Sequence, residues 1–248
     1  MKRANFKTIY VTVICLIITL LCGCNLFVTD KDKFYMDKNL DYSLSRIDIE
    51  KAGKDISIPA KIGDTTVWRI YLADPYYSKI DSLDVSKVKD LESFYLKLFG
   101  GGSASKLKEL DFSKNKKLKS ILVSETNTLN RITFNNNCED IYLESTSVKK
   151  INTKLLKNLR DFSYYNGPLE ELDISNNPNL EYIRIGNTHL KGLDFSNNPN
   201  LEYIRIRDSN IKSLDVSKNP KLKHIIVDEG TQIIGPTNAQ IEYNKRTE

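Results

Sequence analysis

The chain has 248 residues, 40% of them apolar and 28% charged, with a formal net charge of +5. That apolar content suffices for one sizeable core. Three of the basic residues, Lys2, Arg3 and Lys7, crowd the extreme N-terminus, and without residues 1–23 the balance is 34 basic against 32 acidic. A near-neutral body of this kind excludes the electrostatic footprint of a nucleic-acid binder.

Lys2, Arg3 and Lys7 form a basic n-region, and Ile9 to Leu21 is apolar apart from threonines, Tyr10 and Cys15. This is the pattern of a secretory h-region. Its 13 residues fall short of the roughly 20 that a helix needs to cross a hydrocarbon core. Leu21-Cys22-Gly23-Cys24 follows, and it resembles the lipobox of bacterial prolipoproteins. The resemblance implies a signal peptide over 1–23, cleavage before Cys24, and a diacylglyceryl group on the Cys24 thiol. Cys22 fits less well because the bulky Leu21 precedes it. Each buried methylene contributes about 0.8 kcal/mol, so two acyl chains make a stable anchor where one holds only marginally. The other reading of the segment is an ordinary signal peptide with free release. Lipidation would place the protein on the outer side of a bacterial membrane and leave Cys138 as its one free thiol, with no disulfide within a mature chain.

Residues 24–33 then read as a tether and 34–66 as an N-terminal β cap. Tyr42 and Leu44, then Ile47 and Ile49, alternate as in a small hairpin. Ile56-Ser-Ile-Pro-Ala-Lys-Ile62, followed by Val67-Trp-Arg-Ile70, resembles the opening of bacterial surface-antigen leucine-rich repeats.

From 67 to 234 the dominant signal is self-similarity. Leu172-Asp-Ile-Ser-Asn-Asn-Pro-Asn-Leu180 recurs nearly unchanged at Leu193 and Leu214, 21 residues apart, with weaker copies at Leu83, Leu110, Ile132 and Ile151. Such a period lies in the leucine-rich-repeat range. The largest insertion contains Phe99-Gly-Gly-Gly-Ser-Ala-Ser105, which suits a surface loop; it lacks the Lys-Ser/Thr that a phosphate-cradling loop requires. Each unit continues into a step such as Leu180, Ile183, Ile185, Leu190 or Leu201, Ile204, Ile206, Ile211. Here the alternation is that of a strand, and stacked coils would bury these positions in one continuous core. Cys138 stands where other coils have Leu, as a small buried apolar group.

The repeats resemble internalin-like bacterial leucine-rich repeats of the LDxSxN type over roughly residues 83–230. The resemblance implies a predominantly β solenoid, with parallel strands on a concave face, turns or short 3-10 or irregular segments on the convex one, and protein or host-surface ligands. Where those proteins often carry a ladder asparagine, this chain has Thr126, Thr146, Gly167, Thr188 and Ser209, whose hydroxyls are expected to satisfy the turn backbone. Asn115, Asn177, Asn198 and Asn219 mark the other turn, three of them followed by proline. Ile233, Ile234 and Ile241 with Gly235-Pro236 suggest a closing segment from 235, ending in a frayed polar tail at 248.

No catalytic motif stands out. His189 and His224 occupy different phases of their coils, and no paired-cysteine, His-Glu-x-x-His or Gly-x-Ser-x-Gly pattern occurs. The chain therefore reads as a binding protein without cofactor or metal. Asp173, Asp194 and Asp215 recur with the repeat; turn-amide acceptance is favoured over a calcium stripe. The strand positions that point away from the core are free to bind. They run from acidic and aromatic in the middle to basic and aromatic later, and the candidates are Tyr142, Tyr165, Tyr182, Arg184, Tyr203, Arg205, Arg207 and His224. Tyr and Arg are enriched in interface hot spots, so this patch suits an anionic protein or glycan surface. Three other readings stay open: a solvated face whose Tyr-Ile-Arg-Ile was simply duplicated, an envelope subunit that docks or inhibits a secreted enzyme, and a structural surface component.

Overall fold

The computed structural model describes residues 26–29, 33–73, 79–98 and 105–245. The signal segment, Cys24 and the glycines of the 99–104 loop lie outside the described residues.

A twelve-stranded sheet runs the length of the molecule. Its strands are β1 (Leu26–Thr29), β2 (Phe34–Asp37), β3 (Ser43–Ile47), β4 (Arg69–Ala73), β5 (Ser93–Lys97), β6 (Ser120–Thr126), β7 (Asp140–Thr146), β8 (Asp161–Tyr165), β9 (Tyr182–Gly186), β10 (Tyr203–Arg207), β11 (His224–Asp228) and β12 (Gln240–Asn244). β1 to β3 pair antiparallel; from β3 onward every pairing is parallel, one strand per coil. Period-2 alternation explains the register. Ile121 and Val123, Ile141 and Leu143, Ile183 and Ile185, and Ile204 and Ile206 all point inward and are buried, and a slip by one residue would turn each pair to solvent. No single coil encloses a core, so the buried residues form one cluster that spans the coils. The architecture is a leucine-rich-repeat solenoid.

On the return side the expected turns are present, for example at residues 113–117, 175–179 and 196–200, but not all of the segments before them are irregular. Eight such segments instead form three-residue parallel strands in pairs, Asp55–Ser57 with Ser82–Asp84, Glu109–Asp111 with Arg131–Thr133, Lys150–Asn152 with Glu171–Asp173, and Ser213–Asp215 with Gln232–Ile234, whereas Leu193-Asp194 lies in no strand. Stacking brings these extended segments into hydrogen-bonding reach as well. Asp84, Asp111, Asp173 and Asp215 end these strands, and they and Asp194 each accept the amide two residues on, at 2.8–3.0 Å. These hydrogen bonds, at Asp173 led by the one from the Ser175 hydroxyl, hold the Asp84, Asp173, Asp194 and Asp215 carboxyls below their usual range.

The next turn carries a buried asparagine ladder. Asn115 donates to the carbonyls of Val85 and Val88, Asn177 to Thr153 and Leu156, Asn198 to Ile174 and Asn177, and Asn219 to Phe195 and Asn198, all at 2.8–3.0 Å. Each amide thus ties its coil to the one before.

The hydroxyl ladder forms only in part: the Ser209 hydroxyl accepts the Ile211 amide at 3.4 Å. Thr126 and Thr188 are buried, yet their hydroxyls find no hydrogen-bond partner. Main-chain bonds between coils satisfy this turn instead, as in Gly167 N–H to the Asn187 carbonyl and Thr188 N–H to Asp208. They reach across because the residue before each such position, namely Glu125, Ser145, Asn166, Asn187 and Asp208, adopts a left-handed φ of 49–58°. At Gly167 the place of a side chain is taken from inside: the Tyr164 hydroxyl donates to the Val148 carbonyl at 2.8 Å and contacts Thr146.

The ends differ from expectation in detail. β2 and β3 form a hairpin that buries Phe34, Met36, Leu44 and Ile47. Tyr42 does not alternate inward; it is exposed in a left-handed turn (φ 54°). Ile49 opens a one-turn helix, α1 (Ile49–Ala52), capped by Asp48. Solenoid pairing begins before residue 67, at Asp55–Ser57. At the far end the closing segment that includes Ile241 takes the form of a strand: β12 continues the sheet, with Ile241 in register with the inward Ile225.

Candidate functional site

The outward residues of the long sheet align across coils in three rows. In the middle row Tyr71, Tyr95, Leu122, Tyr142, Ser163, Arg184, Arg205 and Ile226 stand side by side in successive strands. One flanking row contains Asp140, Asp161, Tyr182, Tyr203 and His224, and the other contains Glu144, Tyr165, Gly186 and Arg207.

The sequence candidates fall into two groups. On β7 and β8, Tyr142 donates to Glu144 at 2.9 Å and its ring lies 5.9 Å from that of Tyr165. Tyr165 in turn covers Gly186, where an added Cβ would sit 2.8 Å from the ring. These two tyrosines pack on the sheet itself. On β9 to β11, Tyr182, Tyr203 and His224 follow one another with ring centroids 6.5 and 6.3 Å apart. Arg184, Arg205 and Arg207 lie beside them, so six of the eight candidates form one contiguous patch.

Within that patch the arginines are not equivalent. Arg184 was expected to serve an outside anion, but its Nη1 holds both oxygens of Asp161 at 2.6 and 2.8 Å. Its guanidinium also lies 5.3 Å from the ring centroids of both Tyr182 and Tyr203, a cation–π arrangement. Asp161 is only 7% exposed; burial pushes its carboxyl above the usual range and Arg184 opposes that shift. The charge of Arg184 is therefore spent within the sheet. Sequence spacing conceals this, because the pair is diagonal between neighbouring strands. Arg205 and Arg207 make no ion pair among the described residues, and the Nε of each is buried without an acceptor.

Sequence reasoning missed Tyr71. It stacks on Tyr95 at 4.3 Å with an 18° interplanar angle, and burial pushes both phenols upward. Its inward neighbours Ile70 and Leu72 already placed it in the outward phase. His189 is exposed on the return side, where it lines an open cavity of about 680 Å³ with Glu170, Glu171 and Asp173. Cys138 is fully buried, and burial pushes its thiol up to about 12.

No protein-family model and no curated protein sequence matches this chain. Among solved structures, it is similar to the functional domain of InlJ from Listeria monocytogenes, at 20% identity and a TM-score of 0.40; the match covers 80% of this chain and 38% of that one. It is also similar to internalin C2 from the same species, at 16% identity and a TM-score of 0.48, covering 64% of this chain and 74% of the other. The plant peptide hormone receptor RGFR1, solved in complex with RGF2, is similar at 14% identity and a TM-score of 0.35, covering 88% and 53%. This chain thus spans well under half the length of the InlJ domain.

Proposed function

We propose that this chain is a lipid-anchored, extracytoplasmic binding protein that recognises a protein or glycan partner through the outward face of its long sheet. The observation that carries the reading is the patch on β9 to β11, where Tyr182, Tyr203 and His224 form an aromatic file beside Arg205 and Arg207, two cations without an acidic partner among the described residues. Amphipathic rings and planar guanidinium groups supply contact area together with directional hydrogen bonds. Stacked parallel strands, about 4.8 Å apart, hold them at fixed spacing, so little ordering entropy remains to be lost on binding. No enzymatic role is assigned to the face.

The anchor rests on the basic n-region, the short apolar segment and the Leu21-Cys22-Gly23-Cys24 resemblance. Cells fed labelled palmitate should label the protein, and Cys24→Ser should abolish both the label and membrane retention. An unlabelled wild type would remove the anchor from the proposal. For the face, the detergent-solubilised full chain is used to capture extracellular proteins and glycans, beside a Tyr203→Ala, Arg205→Ala, Arg207→Ala variant checked for an unchanged melting transition. A ligand held by the wild type and lost by the folded variant supports the reading; equal capture by both overturns it.

A further inference from the structure

β9 and β10 carry the same tetrapeptide in register, with Tyr182 opposite Tyr203 and Arg184 opposite Arg205. Arg184 reaches back one strand and one row to Asp161, the residue opposite Tyr182, and grips both carboxylate oxygens. Arg205 stands in the same relation to Tyr182, where a ring replaces the carboxylate. The sheet therefore contains one complete arginine–carboxylate unit and, one coil further on, the same unit without its acid. Arg207 lies two residues along the same strand, on the same face, opposite Gly186. Both Arg205 and Arg207 have a buried Nε without an acceptor. Arg69 Nε is also buried without one, but that guanidinium lies 4.6 Å from the Trp68 ring centroid.

We propose that Arg205 and Arg207 bind two carboxylates of an acidic protein segment in extended conformation, the first of them taking for Arg205 the place that Asp161 takes for Arg184. This rests on the outward face being the binding face. Charge complementarity selects the ligand: a guanidinium matches the flat, two-oxygen carboxylate. Spacing selects its form. Residues two apart on a strand lie on one side about 6.7 Å from each other, so an extended segment with Asp or Glu at alternate positions repeats the separation of Arg205 and Arg207. Tyr182, Tyr203 and His224 flank the pair and would contact the ligand residues between and beside the acids.

The probe is a fluorescent peptide with a Glu-Ser-Glu core, titrated against the detergent-solubilised full chain and read by anisotropy, with an isomer bearing adjacent glutamates and with dextran sulfate as comparisons. The Glu-Ser-Glu peptide should bind saturably and better than its isomer. Arg205→Gln with Arg207→Gln should weaken binding about tenfold or more, as expected for the loss of charge-assisted hydrogen bonds. Tyr182→Asp, which gives Arg205 an internal carboxylate, should weaken it similarly while the far-UV spectrum stays unchanged. Should Tyr182→Asp fail to fold, the glutamine pair decides alone. Equal binding by the variants, preference for the isomer, or dextran sulfate binding through Arg205 and Arg207 without peptide binding would overturn the proposal. In the last case, or if the peptide fails while the native partner is still lost by the Tyr203, Arg205, Arg207 variant, the face stands and the acidic segment falls. If native capture survives that variant, the face itself falls.

Discussion

Replacing Gly167 with threonine, the residue at the same turn in three other coils, should destabilise the protein although it restores the repeat. An added Cβ at 167 would collide with the Tyr164 hydroxyl and lie 2.6 Å from the Thr146 carbonyl oxygen. The backbone there is not left-handed, so the conflict is one of space. Overpacking costs about 1–3 kcal/mol, and expelling the phenol from its bond to Val148 adds about 1–2 kcal/mol for the buried carbonyl left behind; together we expect about 3 kcal/mol. Tyr164→Ile, which installs the residue that β9 and β10 carry at this position, should remove the clash with the phenol and leave only the close approach to the Thr146 carbonyl. The double variant should then be more stable than the sum of the single effects by about 1.5 kcal/mol or more, a coupling typical of residues that share one space. Urea unfolding followed by far-UV circular dichroism, at matched m-values, measures all four corners of the cycle. A Gly167→Thr cost below about 0.5 kcal/mol, the range of ordinary surface changes, would refute the reasoning, as would simple additivity.

Asn198→Ala removes two buried inter-coil hydrogen bonds and should cost about 2–4 kcal/mol, seen as a lowered denaturation midpoint. Arg184→Ala strands the buried Asp161 carboxylate and should cost about 3 kcal/mol at neutral pH. Because the folded-state pKa of Asp161 is raised, its ionisation opposes folding. The Arg184→Ala deficit should therefore shrink as pH falls from neutrality toward about 4, the unfolded carboxylate value; a deficit independent of pH would contradict this. Cys138, buried and pushed up to about 12, should resist iodoacetamide at pH 8 in the native protein and react only at the rate of opening. Rapid native labelling, followed by mass spectrometry, would contradict its place in the core.

Much of the fold was legible because burial in a solenoid is periodic. The inward phase of Ile183 and Ile185 follows from alternation alone, and the 21-residue repeat fixes which residues align across coils. What was not legible depends on contacts that cross strands diagonally or exchange one side chain for another. Asp161 and Arg184 lie 23 positions apart, and nothing local marks them as a pair. Gly167 reads as an irregularity until Tyr164 is seen to fill its space. The short return-side strands escaped notice because three residues carry too little pattern to separate a strand from a turn. For the candidate site, the aromatic and cationic character of the face could be read from phase, whereas the division between a spent Arg184 and an unpartnered Arg205 and Arg207 required coordinates.

The central claim is that a partner docks on the outward face at β9 to β11. Its most direct test places a photo-crosslinking amino acid at Tyr203 on that face, or at the exposed Lys218 on the return side, in the full chain displayed by living cells. The account predicts a discrete adduct from position 203 and none from 218. An adduct from 218 alone, or from neither position, would contradict it.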